Sequence, residues 1–80
     1  MFKNKNNGKN NLCGDNIKAL RLNLPKKMSQ RALADKMQLI GIDVDKNAIQ
    51  RIECGKRFVT DIELRAFAEI FGVTLDELVN

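Results

Sequence analysis

Histidine, tryptophan and tyrosine are absent from this chain of 80 residues, which carries one proline and two cysteines. Without imidazole the commonest general base and the commonest zinc ligand are gone. Cys13 and Cys54 alone cannot complete a four-ligand zinc site. Residues 1–11 are polar and contain no signal-like apolar stretch, so the two cysteines fit a reduced, cytoplasmic setting better than a disulfide. Their spacing alone leaves a Cys13–Cys54 contact open. No run approaches the roughly 20 apolar residues that a membrane span needs. The five glycines stand singly, so no glycine-rich loop is available to cradle a phosphate. Carboxylates such as Glu69, Asp76 and Glu77 read as helix caps and solvated faces rather than as an acid–base pair. The expectation is a protein that is not an enzyme and uses no cofactor.

One metal pattern begins and then fails. Asp43, Asp45 and Asn47 occupy the first three ligand positions of a calcium-binding EF-hand loop. The sixth position needs glycine for the sharp turn and holds Ala48. The twelfth needs a bidentate glutamate and holds Cys54, with Glu53 one residue out of register. No metal site is expected. Arg51, Lys56 and Arg57 lie near Cys54 in sequence and would favour its thiolate, but a small residue at a helix end is the simpler reading.

The charge is unevenly placed. Residues 1–57 hold 13 Lys and Arg against 5 Asp and Glu, a balance of +8, whereas residues 58–80 hold 1 against 5, a balance of −4. A chain polarised in this way can turn its basic part to a polyphosphate and its acidic part away.

Hydrophobic periodicity and caps predict five short helices. Residues 1–11, almost all Asn, Lys and Gly, are expected to be a flexible basic tail, with Lys3, Lys5 and Lys9 able to act as an arm on phosphates. Residues 12–80 form the single domain. The first helix is predicted from Leu12 to Asn23, with Ile17, Leu20 and Leu24 as its inner stripe, Asn11 or Asp15 as its cap and Pro25 as its stop. Ser29 caps the second, which buries Leu33, Ala34 and Met37 and ends near Leu39 or Ile40 before Gly41. Asp45 caps the third, which turns Ile49 and Ile52 inward and ends at Gly55. Capping boxes at Thr60–Glu63 and Thr74–Glu77 begin the fourth and fifth. Leu64, Phe67, Ala68 and Phe71 form the inner face of the fourth, and Val73, Leu75 and Leu78 continue the core. The fold class is all-α, a compact five-helix globule.

The third predicted helix has a polar face suited to DNA. Lys46, Asn47, Gln50 and Arg51 lie opposite its apolar side, and 46–50 and 47–51 are one turn apart. Lys and Arg donate to guanine O6 and N7, while Asn and Gln pair bidentately with adenine. Polar faces are ordinary on soluble helices, so that face is not decisive by itself. Possible phosphate anchors stand on both sides of it: Lys26, Lys27 and Gln30 before, Lys56 and Arg57 after.

The order of these features resembles the Cro/lambda-repressor-like (XRE) helix-turn-helix family from about Ile17 to Leu78. The matching residues are Leu20-Arg21, Ser29-Gln30, Leu33-Ala34, then Ile49, Ile52-Glu53 and Gly55-Lys56-Arg57, then Phe71-Gly72-Val73-Thr74-Leu75-Asp76-Glu77-Leu78. The resemblance implies a lambda-repressor-like fold that places helix 45–54 in the major groove of double-stranded DNA. It implies base contacts from Lys46, Asn47 and Gln50, with Arg51 on base or phosphate. It further implies a phosphate contact from Gln30, which also braces the reading helix, and an Arg21–Glu53 ion pair between helices. The expected activity is that of a small transcriptional regulator, a repressor by occupancy. Besides DNA, a second copy is a candidate partner, with Leu75, Leu78 and Val79 of the last helix as its best pairing surface; simple core packing of those residues is the slightly favoured alternative. The alternative is a protein-interaction module, such as an adaptor or antitoxin component, that keeps the fold without specific DNA binding.

The chain departs from the family in one place. Residues 38–43 add roughly five residues to the usual tight turn between the second and third helices. A longer second helix and a wider turn are expected, with Leu39, Ile40 and Ile42 anchoring it to the core.

Overall fold

The computed structural model describes residues 8–24 and 26–80. Lys3 and Lys5 of the expected arm, and Pro25 as the stop of the first helix, lie outside the described residues. Five helices follow in order: α1 (Gly14–Leu22), α2 (Gln30–Leu39), α3 (Lys46–Glu53), α4 (Asp61–Phe71) and α5 (Leu75–Val79). Among the described residues there is no strand.

Four of the five helices start where a side-chain oxygen accepts an otherwise unpaired backbone N–H. Ser29 accepts from Ala32 and Asp45 from Ala48, while Thr60 and Thr74 form complete capping boxes with Glu63 and Glu77. α1 starts two residues later than its periodicity suggests. Its N-cap, Cys13, makes no side-chain cap bond; instead Asn11 Oδ1 accepts from the Gly14 N–H at 2.8 Å.

Ile17, Leu33, Met37, Ile49, Ile52, Phe67 and Leu78 are completely buried and form the centre of one core. Each such side chain contributes about 1.5–3 kcal/mol by leaving water. α3 is held from two sides, packed on α2 and on α1, and α4 closes the core beneath α2 and α1. No described helix is long and apolar enough to cross a membrane.

Three placements differ from the sequence expectations. Leu39 and Ile40 do not anchor the wide turn, being 84% and 47% exposed. Val44 (buried) and Ile42 (half-buried) take that role, because the chain reverses over residues 40–42: Ile42 N donates back to Met37 O at 2.9 Å while Gln38 Nε2 donates to Val44 O at 2.9 Å. That closes the turn on its inner side and leaves the end of α2 facing water. In α5, Leu78 is buried in the core and its carbonyl accepts from Asn16 Nδ2 at 2.7 Å. Val79 also packs on the core, so of the three residues weighed as a pairing surface only Leu75 is exposed, and against its expected place in the core it adds to none. Residues 9–11, assigned by sequence to the tail, lie against the loop that follows α3: Asn10 N donates to Gly55 O at 2.8 Å. Cys13 and Cys54 are both free, the first buried and the second exposed.

Candidate nucleic-acid interface

α3 sorts its residues by face. Ala48, Ile49, Ile52 and Glu53 are buried, and Lys46, Asn47, Gln50 and Arg51 are all exposed on the other side. The helix starts at the Asp45 carboxylate, which accepts from Ala48 N at 2.8 Å, and ends where Gly55 takes a φ of +81°. Between those stops, two turns of helix leave room for four outward side chains and no more. A rod presenting Lys, Asn, Gln and Arg together offers the donors and acceptors that base edges in a major groove require.

The back of this helix is tied to α1 and α2 by a buried charged cluster. Arg21 and Glu53 meet in a two-bond fork, Nε to Oε2 at 2.7 Å and Nη2 to Oε1 at 2.9 Å. Arg21 Nη1 also donates to Met28 O at 2.8 Å. The hydrogen bond to Glu53 raises the Arg21 pKa above its ordinary value, against the opposing effect of burial. Gln30 completes the cluster, its Nε2 donating to Glu53 Oε1 at 3.0 Å. Satisfaction on this scale is what makes a buried ion pair tolerable. It fixes the roll of α3, because Glu53 can reach Arg21 and Gln30 only with the 46–47–50–51 face turned outward.

Gln30 therefore braces the helix at the first residue of α2. It also lines a concavity with Asp15, Lys18, Gln50, Glu53 and Cys54. A second concavity brings Arg31 and Lys46 together with Asp35, Gln38 and Asp45. Lys18 and Arg31 thus stand beside the outward face of α3, one at either end. Sequence reasoning passed over both, since each looks like an ordinary solvated charge until α1 and α2 are laid against α3. Lys26 and Lys27 are exposed on the connection before α2, and Lys56 is exposed on the loop after α3.

Arg57 is placed differently from its expected role at phosphate. It forks onto Glu63, Nη1 to Oε1 at 3.1 Å and Nη2 to Oε2 at 3.0 Å, and it donates to Phe58 O at 3.2 Å. The cause is the capping box of α4. Glu63 turns back to accept from Thr60 N at 2.9 Å, which aims its carboxylate at the loop where Arg57 passes. Burial pushes the Glu63 carboxyl up, but Arg57 and Thr60 together outweigh it and hold the group below its ordinary pKa. Half-buried and paired, Arg57 ties the α3–α4 loop to the first turn of α4.

Residues 17–78 match the family model described as helix-turn-helix. No curated protein and no solved structure matches the chain.

Proposed function

Since the chain belongs to the Cro/lambda-repressor-like helix-turn-helix family, a DNA-binding family of the transcription-regulator type and not an enzyme family, we propose that it reads specific sequences in double-stranded DNA through α3 and regulates by occupancy, as a repressor. The observation that carries this reading is the sorting of α3, with four polar side chains outward and Glu53 locked to Arg21 and Gln30 behind them. Lys46, Asn47 and Gln50 contact base edges, and Arg51 contacts base or phosphate. Gln30, Lys26, Lys27 and Lys56 contact phosphates, joined by Lys18 and Arg31. Two copies read two half-sites about one helical turn apart.

Selection of bound sequences from a random duplex library tests the reading. A recovered motif with two-fold symmetry supports it; recovery of no motif by folded protein overturns it. Given a motif, Asn47→Ala or Gln50→Ala costs about 1–3 kcal/mol and relaxes preference at one base position. If both variants keep the full preference, these residues are not the readers.

A protein-interaction role is the second reading, and one observation favours it. Leu39 and Ile40 line a groove with Lys36, Glu69 and Ile70, formed by α2 and α4 without any residue of α3. A module that binds protein instead of DNA shows little duplex affinity at moderate salt and no base preference.

A further inference from the structure

The segment that precedes α1 is sewn to the segment that follows α3. Asn11 Nδ2 donates to Ile52 O at 3.1 Å and to Arg57 O at 2.8 Å. It thereby ties the last turn of α3 to the far end of the basic loop. Asn10 holds the residues between: its backbone N–H donates to Gly55 O at 2.8 Å and its Nδ2 to Lys56 O at 2.9 Å. Lys9 crosses over Gly55, where an added Cβ would come within 2.9 Å of its Cγ, and its ammonium pairs with Asp15. Gly14 lets the two segments close, since a Cβ there would stand 2.2 Å from Ile52 O. Four carbonyls at and beyond the end of α3, those of Ile52, Gly55, Lys56 and Arg57, are taken up by two asparagines.

The residue this arrangement fixes is Lys56. Its carbonyl is bound by Asn10, and its N–H donates to Arg51 O at 2.9 Å. Its side chain is exposed, whereas neighbouring Arg57 is committed to Glu63. We propose that Asn10 and Asn11 are positioning residues for DNA docking: they set the place of the Lys56 backbone, and so the range its ammonium can reach, relative to the reading face of α3, so that residues 9–11 belong to the DNA-binding apparatus. The inference rests on the DNA-binding reading above. Its physical basis is that a phosphate contact is useful only at a fixed distance from the base contacts, because it sets register and orientation. A glycine-containing loop with no outside hold would spread the lysine over many positions and lose that register.

Asn11→Asp removes both donor bonds, and Asn10→Ala, which adds no charge, controls for the carboxylate that the first variant introduces. The carboxylate keeps the acceptor for Gly14 N–H and suits a helix N-terminus, but it cannot donate to Ile52 O or Arg57 O. Backbone amide exchange is measured first, on the full chain without DNA. The amides of Lys56 and Arg57, both donors to Arg51 O, exchange about tenfold faster in Asn11→Asp, as expected for the loss of two hydrogen bonds, while the Ile49 amide is unchanged. Duplex titrations across a salt series follow, on wild type, Asn11→Asp, Lys56→Ala and the double variant. Asn11→Asp weakens binding about tenfold and lowers the salt slope by about 0.9, one phosphate's worth. Lys56→Ala does the same, and the double variant is little worse than either, the non-additivity expected when one residue acts through the other. Unchanged loop exchange overturns the proposal, as does full additivity, or faster exchange with affinity and slope intact. The milder Asn10→Ala, which loses only the side-chain bond to Lys56 O, moves each readout the same way by less and stands in if Asn11→Asp fails to fold. The exchange arm needs no DNA. A wild-type chain that binds no duplex therefore overturns the DNA reading separately from the hold on Lys56.

Discussion

The two ends of α3 are secured by different physics. At its start, the wide turn of residues 40–45 is held by the burial of Val44, the half-burial of Ile42, the Asp45 cap and the Gln38 bond to Val44 O. At its end, Asn10, Asn11, Arg21, Gln30 and Arg57 converge on the carbonyls and carboxylates of residues 52–63. The start is held locally, by apolar burial together with short-range hydrogen bonds; the end is polar and assembled from distant parts of the chain. Apolar burial is indifferent to direction, so a turn held that way tolerates extra residues. Hydrogen bonds are directional, so the end of the helix cannot drift without breaking several at once. That difference lets the connection of residues 40–45 be long while the outward face of α3 stays fixed against α1 and α2.

The comparison can be broken most sharply at Glu53. Glu53→Ala leaves the Arg21 guanidinium buried and unpaired, and costs about 3–5 kcal/mol in urea unfolding; a loss under 1 kcal/mol would show that the end of α3 is not polar-controlled. The next test sets two glycines against each other. Gly41 and Gly55 have φ of +88° and +81°, one near each end of the helix. A Cβ at Gly41 meets nothing within 4 Å, whereas at Gly55 it meets Lys9. Gly41→Ala therefore costs about 1 kcal/mol from backbone conformation, and Gly55→Ala about 2 kcal/mol once crowding is added. Equal costs would mean that the Lys9 side chain yields freely. Asp45→Ala removes one cap and costs about 1 kcal/mol in thermal unfolding. Smallest of all is Leu39→Ser, which changes stability by less than about 0.5 kcal/mol because the side chain is already in water; a larger loss would place Leu39 in the turn's anchorage after all.

Legibility in the sequence followed the distance over which an interaction acts. Ser29, Asp45, Thr60 and Thr74 were readable as caps because a cap bonds three residues ahead. The inner faces of α2, α3 and α4 were readable from period, and the Arg21–Glu53 pair came from family resemblance. The outward set Lys46, Asn47, Gln50 and Arg51 followed from the inward positions of Ile49 and Ile52. The turn misled because Leu39 and Ile40 are apolar and sit in a long connection, where period no longer says which side faces the core. The pairing of Arg57 was not readable because Glu63, six residues on, is aimed at it by a capping box. The hold of residues 9–11 on the loop after α3 was invisible: Asn11 was readable as a cap for α1, but nothing local connects it to carbonyls 41 and 46 residues away.

The two thiols differ in a way that is useful at the bench. Cys13 is buried, and burial pushes its pKa up to about 11, with Glu63 adding to the rise. Cys54 is exposed at the C-cap of α3, one residue beyond the helix that carries Gln50 and Arg51. A thiol-directed fluorophore or spin label thus attaches to the folded wild-type chain at a single point beside the reading face, giving an optical or magnetic reporter of duplex docking with no substitution at all.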